Sequence, residues 1–324
     1  MNIELSARRI TAALFTMLLI GGLCGGARAA TAVSTCQTLS APGNYFLTAN
    51  LTASGDCLVI GADNVGIDLK GKTIKGSGSG SAITDGGSTR NFAIIANGKI
   101  SGFSDGVKLQ ASGQAIISNL NTSNNTGDGV LIGGCCNTLS TVTANNNGGI
   151  GIHITSDDSN LTEVQANGNG GGGILITSCC NTLVGSGVTK NTGVGVEMSD
   201  CCSFVVSSKI QKNSSIGVEL ASDDNGVIKS TVSGNGDDGI EFPSSSENMV
   251  TATKSTGNAG TGIDFGPGKF GIISGVTASK NHSGGVTMNC RGSTASLKAQ
   301  KNSGTNLVQT VVDGPCANVN LNAP

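Results

Sequence analysis

The chain has 324 residues, of which 51 are glycine, one is tyrosine and none is tryptophan, and its formal net charge is −2. Without an N-terminal leader carrying three arginines and one glutamate the charge becomes about −4, which argues against nucleic acid as a partner. So little aromatic bulk also argues against an ordinary globule, and leaves either a flexible low-complexity polymer or a repeat that glycine punctuates at a fixed period.

Residues 1–29 read as a signal peptide. Arg8 and Arg9 precede an apolar run from Ile10 to Leu23, and Ala27-Arg28-Ala29 offers the small residues of a signal peptidase site, with cleavage after Ala29 or Ala30. A lipoprotein signal ending at Cys24 is the competing pattern, but Leu23 stands where that signal needs a small residue. No later run reaches the roughly eighteen to twenty apolar residues of a membrane span, so the expected mature chain is secreted or periplasmic and has no span of its own. Without Cys24 the 11 cysteines become an even ten, which in an exported chain favours disulfides over free thiols.

Residues 30–92 are expected to form an N-terminal cap and the first coils, and residues 93–309 a repeat body. Gly129-Val130-Leu131-Ile132, Gly151-Ile152-His153-Ile154, Gly173-Ile174-Leu175-Ile176, Gly195-Val196-Glu197-Met198, Gly217-Val218-Glu219-Leu220 and Gly239-Ile240-Glu241-Phe242 each begin 22 residues after the last. With single-residue slips the series runs on through Gly262-Ile263-Asp264-Phe265, Gly285-Val286-Thr287-Met288 and Asn306-Leu307-Val308-Gln309. Four residues before each start stands an asparagine: Asn125, Asn147, Asn169, Asn191, Asn213, Asn235, Asn258, Asn281 and Asn302.

Apolar residues alternate with a variable one inside each segment, which is the period of a strand with one buried face. The runs are too short for helices and are bounded by Gly, Asn, Asp and Ser. If each repeat is one turn of a coil, equivalent positions stack on parallel strands roughly 4.8 Å apart, and Val130, Ile152, Ile174, Val196, Val218, Ile240, Ile263 and Val286 form an inward ladder. Leu139, Leu161, Leu183, Val205 and Val227 keep the same spacing and mark a second strand per turn. The asparagines then form a structural ladder of buried amides, and the glycines supply turn conformations and room for close coils. The fold class expected is all-β, a right-handed parallel β-helix solenoid with rungs of about 22 residues.

The repeat G-[IV]-x-[ILMF] preceded by asparagine resembles the parallel β-helix repeat of the pectate-lyase-like superfamily, over roughly Ala93 to Gln309. The stretch from Ser40 through Gly76 resembles the opening of exported bacterial right-handed β-helix proteins, including NosD-like ones. Fold carries over from such a likeness far better than activity. A solenoid also needs capped ends. Cys36 with Cys57 is the expected staple of the first cap, and Cys290 with Cys316 that of the last, in residues 310–324; each closure contributes roughly 3 kcal/mol on the loop-entropy view.

Chemistry is concentrated in two columns. The outward middle residues of successive strands are Lys108, Leu131, His153, Leu175, Glu197, Glu219, Glu241, Asp264, Thr287 and Val308, so four consecutive rungs carry carboxylates. Neighbouring charges at that spacing repel by roughly 1 kcal/mol in water and about 3 at an effective dielectric of 20. Lys190 and Lys212 lie seven residues before Glu197 and Glu219 and are expected to neutralise the column only in part. A hard-oxygen set of Glu197, Glu219, Glu241, Asp264 and Asp238 suits calcium, and the lyase members of the superfamily imply calcium bridging to an acidic sugar. The same column is equally what an ordinary solvated strand face presents.

Asp237-Asp238-Gly239-Ile240 resembles the paired-aspartate rung of polygalacturonases. The next rung lacks their histidine, no Arg-x-Lys pair follows, and Asp105-Gly106 and Asp128-Gly129 place aspartate at this position in the repeat itself. Arg90 and Arg291 lie away from the acidic column, His153 is two rungs from Glu197, and His282 follows a ladder asparagine.

In the second column Cys135-Cys136, Asp157-Asp158, Cys179-Cys180, Cys201-Cys202, Asp223-Asp224 and Ser245-Ser246 recur at the same corner. Cross-rung disulfides, adjacent-residue disulfides and a zinc or cuprous site are the alternatives, and copper handling is what the NosD-like resemblance implies. An oxidising compartment favours disulfides. The functional expectation is an exported β-helix that binds carbohydrate or sits at the cell surface, with polysaccharide as partner. The alternatives are a calcium-assisted polysaccharide lyase or epimerase, and a structural or adhesive protein.

Overall fold

The computed structural model describes residues 29–243, 245–266, 271–289 and 293–310. The leader up to Arg28, Arg291, the Cys290 to Cys316 pairing and the C-terminal cap beyond residue 310 lie outside them. Each repeat makes three short strands per turn, as in Val196–Met198, Phe204–Val206 and Lys209–Gln211, followed one turn later by Val218–Leu220, Gly226–Ile228 and Thr231–Ser233. All pair in parallel with their counterparts one repeat on: Val196 with Val218, Val205 with Val227, Ile210 with Val232. One strand per turn builds a sheet of 13 strands, and the other two build a sheet of 22 that bends around a corner. These sheets run unbroken from the first coils into the repeat body, since Val65–Asp68 pairs with Ile94–Ser101 and Ser81–Thr84 with Asp105–Leu109. Among the described residues no helix is long and apolar enough to cross a membrane.

The inward ladder Val130, Ile152, Ile174, Val196, Val218, Ile240, Ile263 and Val286 is in direct register and buried. Each such side chain contributes about 1.5–3 kcal/mol by leaving water. The next inward position repeats the principle with larger groups, and Phe242 stacks on Phe265 with ring centroids 4.6 Å apart. The third strand of each turn has no strong apolar signal in the sequence. Its inward residues run Ala166, Val188, Ile210, Val232, Ser255 and Ala278, half of them small or polar.

Three corners join the three strands, and each is lined by a polar ladder. In the first, each ladder asparagine accepts the backbone N–H of its predecessor: Asn169 N–H donates to Asn191 Oδ1 at 2.9 Å and Asn191 N–H to Asn213 Oδ1 at 3.1 Å. Each Nδ2 also donates to the next asparagine's Oδ1 and, in most rungs, to a backbone carbonyl, as Asn191 does to Ala166. The second ladder alternates amide and hydroxyl through Asn137, Ser159, Asn181, Ser203, Asn225 and Asn248. The third runs Ser186, Ser208, Ser230 and Thr253. Corners interrupt the sheet hydrogen bonds, and these side chains accept N–H groups that would otherwise be buried without a partner, at about 1–3 kcal/mol each.

Glycine acts mainly through space. A Cβ on Gly195, Gly217 or Gly239 would lie 2.5 Å from the carbonyl oxygen of the next rung's glycine. The left-handed backbone falls elsewhere, immediately before each ladder residue, and is often not glycine: Asn146 at φ +55°, Lys190 at +58° and Lys212 at +56°. The turn conformation expected of glycine is thus shared: Gly168, Gly234 and Gly257 carry it at φ +68°, +63° and +66°, and asparagine or lysine carries it in other rungs. In guanidinium unfolding, Asn191→Ala is expected to cost about 2–4 kcal/mol, and Gly195→Ala about 2 kcal/mol or more through the clash with the Gly217 carbonyl. The exposed control Lys209→Ala should stay within about 0.5 kcal/mol.

Candidate functional site

Inward packing on both sides forces the middle residue of each strand in the 13-stranded sheet to face outward. Register places Leu131, His153, Leu175, Glu197, Glu219, Glu241, Asp264 and Thr287 on successive rungs. Beside them runs a second outward column of Asp128, Ile150, Gly172, Val194, Ile216, Asp238 and Thr261, two residues before each inward ladder position. The face is thus apolar in its middle, basic and imidazole-bearing toward the N-terminal end and acidic toward the C-terminal end.

Aspartate before the repeat glycine has a structural duty. Asp105 Oδ1 accepts the N–H of Asp128 at 3.1 Å, Asp128 Oδ1 accepts that of Ile150 at 2.7 Å, and Asp238 Oδ1 accepts that of Thr261. The free oxygens then meet nitrogen-bearing side chains: Asp105 Oδ2 lies 3.3 Å from the Lys108 ammonium and Asp128 Oδ2 lies 3.4 Å from His153 Nδ1. The partnership of His153 with Asp128 is absent from the sequence reading; its signal is a separation of one rung plus three residues. His282 is held at its corner, with Nδ1 3.0 Å from the Asn258 carbonyl.

Carboxylates crowd the other end. Burial, and then the charge of Glu197, raises the Glu219 carboxyl above its usual range. Glu241 is raised by burial and then by Glu219, Asp264 and Asp237. Asp238 is pushed up to about 6, by burial first and by Asp264, Asp237 and Glu241 after it, against the pull of the Thr261 N–H. Among the described residues the ion pairs are Lys70 with Asp68, Lys108 with Asp105 and His153 with Asp128, so Lys190 and Lys212 do not pair with this row. Both lysines stand on the left-handed corner residue that follows the third strand, around a turn from the face.

Glu197, Glu219, Glu241, Asp264 and Asp238 share this face, but no three described His, Cys, Asp or Glu side chains gather closely enough to hold a metal ion. Rung spacing keeps the carboxylates in a row, and Asp238 and Asp264 each commit one oxygen to backbone N–H groups, of Thr261 and Gly266. This arrangement is a row of carboxylates along the coil axis, not a closed calcium cage.

Cys36 and Cys57 are disulfide-bonded with Cα atoms 4.4 Å apart. They precede the paired residues Gln37 and Leu58 and so occupy equivalent places on adjacent rungs. The coil therefore accommodates a bond between identical stacked positions here. Cys135, Cys136, Cys179, Cys180, Cys201 and Cys202 are free thiols at the corner after the acidic face. On the far side, Gly71, Asn97, Gly98, Lys99, Asn119, Leu120, Asn121, Thr141 and Thr143 line an open groove of about 370 Å³, where Asn119 Nδ2 donates to Asn97 Oδ1 at 3.0 Å.

A carboxyl whose folded value is raised binds its proton more tightly in the native state, so its contribution falls as pH rises from the ordinary carboxylate value through the folded one. Wild type is expected to lose stability from this cluster between about pH 4 and pH 6. Asp238→Asn keeps an oxygen for the Thr261 N–H and should shrink that loss, read as guanidinium midpoints across the range. Glu219 and Glu241 contribute a residual slope of the same sign.

The sequence matches the family described as right handed beta helix region over residues 194–308. A comparison with curated proteins finds no match. Among solved structures, the mannuronan C-5 epimerase AlgE4 A-module of Azotobacter vinelandii is similar, with a TM-score of 0.61 at 15% identity over 95% of this chain and 94% of that one. The catalytic domain of a GH87 alpha-1,3-glucanase in complex with tetrasaccharides has a TM-score of 0.64 at 10% identity, over 93% of this chain and 69% of the other. The Dettilon tailspike protein has a TM-score of 0.50 at 11% identity, over 82% and 62%. At such identities the likeness establishes fold, and together with the continuous parallel pairing it makes this chain a right-handed parallel β-helix protein.

Proposed function

We propose that this is an exported protein that binds a linear polysaccharide along the outward face of its 13-stranded sheet. The observation that carries the reading is the unbroken row from Leu131 to Asp264, one side chain per rung, in which Leu131, His153 and Leu175 give way to four carboxylates. A polymer laid along the coil axis meets a related group at every step, so many weak contacts add without any deep pocket. Hydroxyl groups of a sugar are suited to the carboxylate oxygens, and its C–H faces to Leu175, Val194 and Ile216. Support comes also from the company the fold keeps, since one similar structure is a mannuronan epimerase and another a glucanase domain bound to tetrasaccharides. Export is supported by the charged, apolar and small-residue segments of the leader.

A second reading, polysaccharide lyase or epimerase chemistry, draws on Asp238, which holds its proton to about pH 6 beside Glu241 and Asp264. The experiment is a glycan array and a polysaccharide-degradation screen on the full chain, with and without calcium. Binding is expected, and Leu175→Ala and Glu219→Ala should each weaken it about tenfold, equivalent to about 1.4 kcal/mol. Thr162→Ala, on the other sheet, should leave it unchanged. Binding that survives both face substitutions but is lost on altering Lys99 and Asn121 would move the site to the far groove. Unsaturated ends or altered uronate composition would establish the enzymatic reading.

A further inference from the structure

We infer that Cys135-Cys136, Cys179-Cys180 and Cys201-Cys202 form a stacked modification site at which each dipeptide closes into an adjacent-residue disulfide by exchange with a disulfide donor. The fold sets the geometry before cysteine chemistry enters. In the cysteine and aspartate rungs the second residue of the dipeptide is left-handed, at φ +63° for Cys136, +53° for Asp158, +62° for Cys180, +60° for Cys202 and +57° for Asp224, whereas in the Ser245-Ser246 rung Glu247 takes that place at +60°. Cysteine and aspartate share the conformation because the corner demands it: the next residue must point inward and join the Asn137, Ser159, Asn181, Ser203, Asn225 ladder. With cysteines in place, the two sulfurs of a pair lie 2.9, 3.0 and 3.1 Å apart in the three rungs. Covalent closure to about 2.05 Å needs about 1 Å of further approach between sulfurs that already face each other, with the local backbone adjusting to the small ring.

Two observations separate this from the other uses of the same thiols. The rung after Cys135-Cys136 carries Asp157-Asp158, and Cys135 bridges to Asp157 there, so that pair has no cysteine on a neighbouring rung. A cross-rung scheme of the Cys36–Cys57 kind would leave it unused, whereas adjacent closure treats all three rungs alike. The partner sulfur's hydrogen bond, with burial after it, pushes one thiol of each pair up to about 11 at Cys136, about 12 at Cys179 and about 11 at Cys202. In all three rungs each thiol thus already faces its own partner sulfur within the rung, which is the approach that ring closure requires.

In the exchange, one cysteine loses its proton and its thiolate attacks a sulfur of the donor disulfide, expelling a donor thiolate and forming a mixed disulfide. The second cysteine deprotonates and attacks the protein-side sulfur of that bond, closing the ring and expelling the other donor thiolate. Two electrons pass from the pair to the donor, and the two protons released are taken up by the donor's two thiolates. Cys135, Cys136 and Cys180 are exposed and the other three half-buried, so a donor has access to every rung.

The test uses the full chain incubated with oxidised glutathione, blocked with N-ethylmaleimide without reduction, and cut by trypsin and after Glu163. Trypsin yields 109–190 and 191–209, and the cut after Glu163 divides the first, so each dipeptide falls in its own peptide. Three unlinked peptides, each lighter by two hydrogens and alkylated only after reduction, are expected. In Cys179→Ser, Cys180 should become open to alkylation or carry glutathione, while the peptide holding Cys201 and Cys202 stays closed. Peptides joined across rungs, or all six cysteines alkylated without prior reduction, would overturn the inference.

Discussion

Everything in this molecule depends on parallel pairing of a chain with itself at a separation of one turn. Because the sequence recurs at 22 residues, each position is placed directly beside its own equivalent, and any chemical property of a position becomes a column. Apolar positions become a continuous core that no single rung could bury. Amides and hydroxyls at corners become chains in which each side chain accepts the N–H of the turn before it. The glycine that leads the repeat is required by the same closeness, since a side chain there would meet the backbone of the following turn.

The same rule governs the surfaces, where its effect is less benign. Stacking brings like charges together, and the acidic end of the face retains protons that isolated carboxylates would release. Toward the other end the aspartates are relieved by Lys108 and His153, which the coil brings next to them. One face therefore changes character along its length while its geometry stays constant. Stacked corner cysteines are a further product of this register, because a dipeptide conformation imposed by the fold is presented three times with sulfur.

Much of the architecture was legible because it is periodic. Spacing alone identified the inward ladder, the asparagine column, the outward acidic row and the corner dipeptides. The third strand of each turn was not legible, because Ala166, Ser255 and Ala278 carry too little apolar signal to mark a buried face. The two further polar ladders were hidden for a related reason: asparagine and serine alternate in one of them, so no residue type recurs in every rung.

By itself the sequence determined the period, the fold class and which residues share a column, since these follow from identity repeating at a constant interval. Only the tertiary structure decided what each column does. It showed that aspartate before the repeat glycine accepts a backbone N–H, that His153 meets Asp128, that the carboxylates stand in a row instead of converging, and that paired cysteines face each other within a rung. Those outcomes turn on a few ångströms of side-chain placement and on the left-handed corner residues, and neither is encoded in the spacing along the chain.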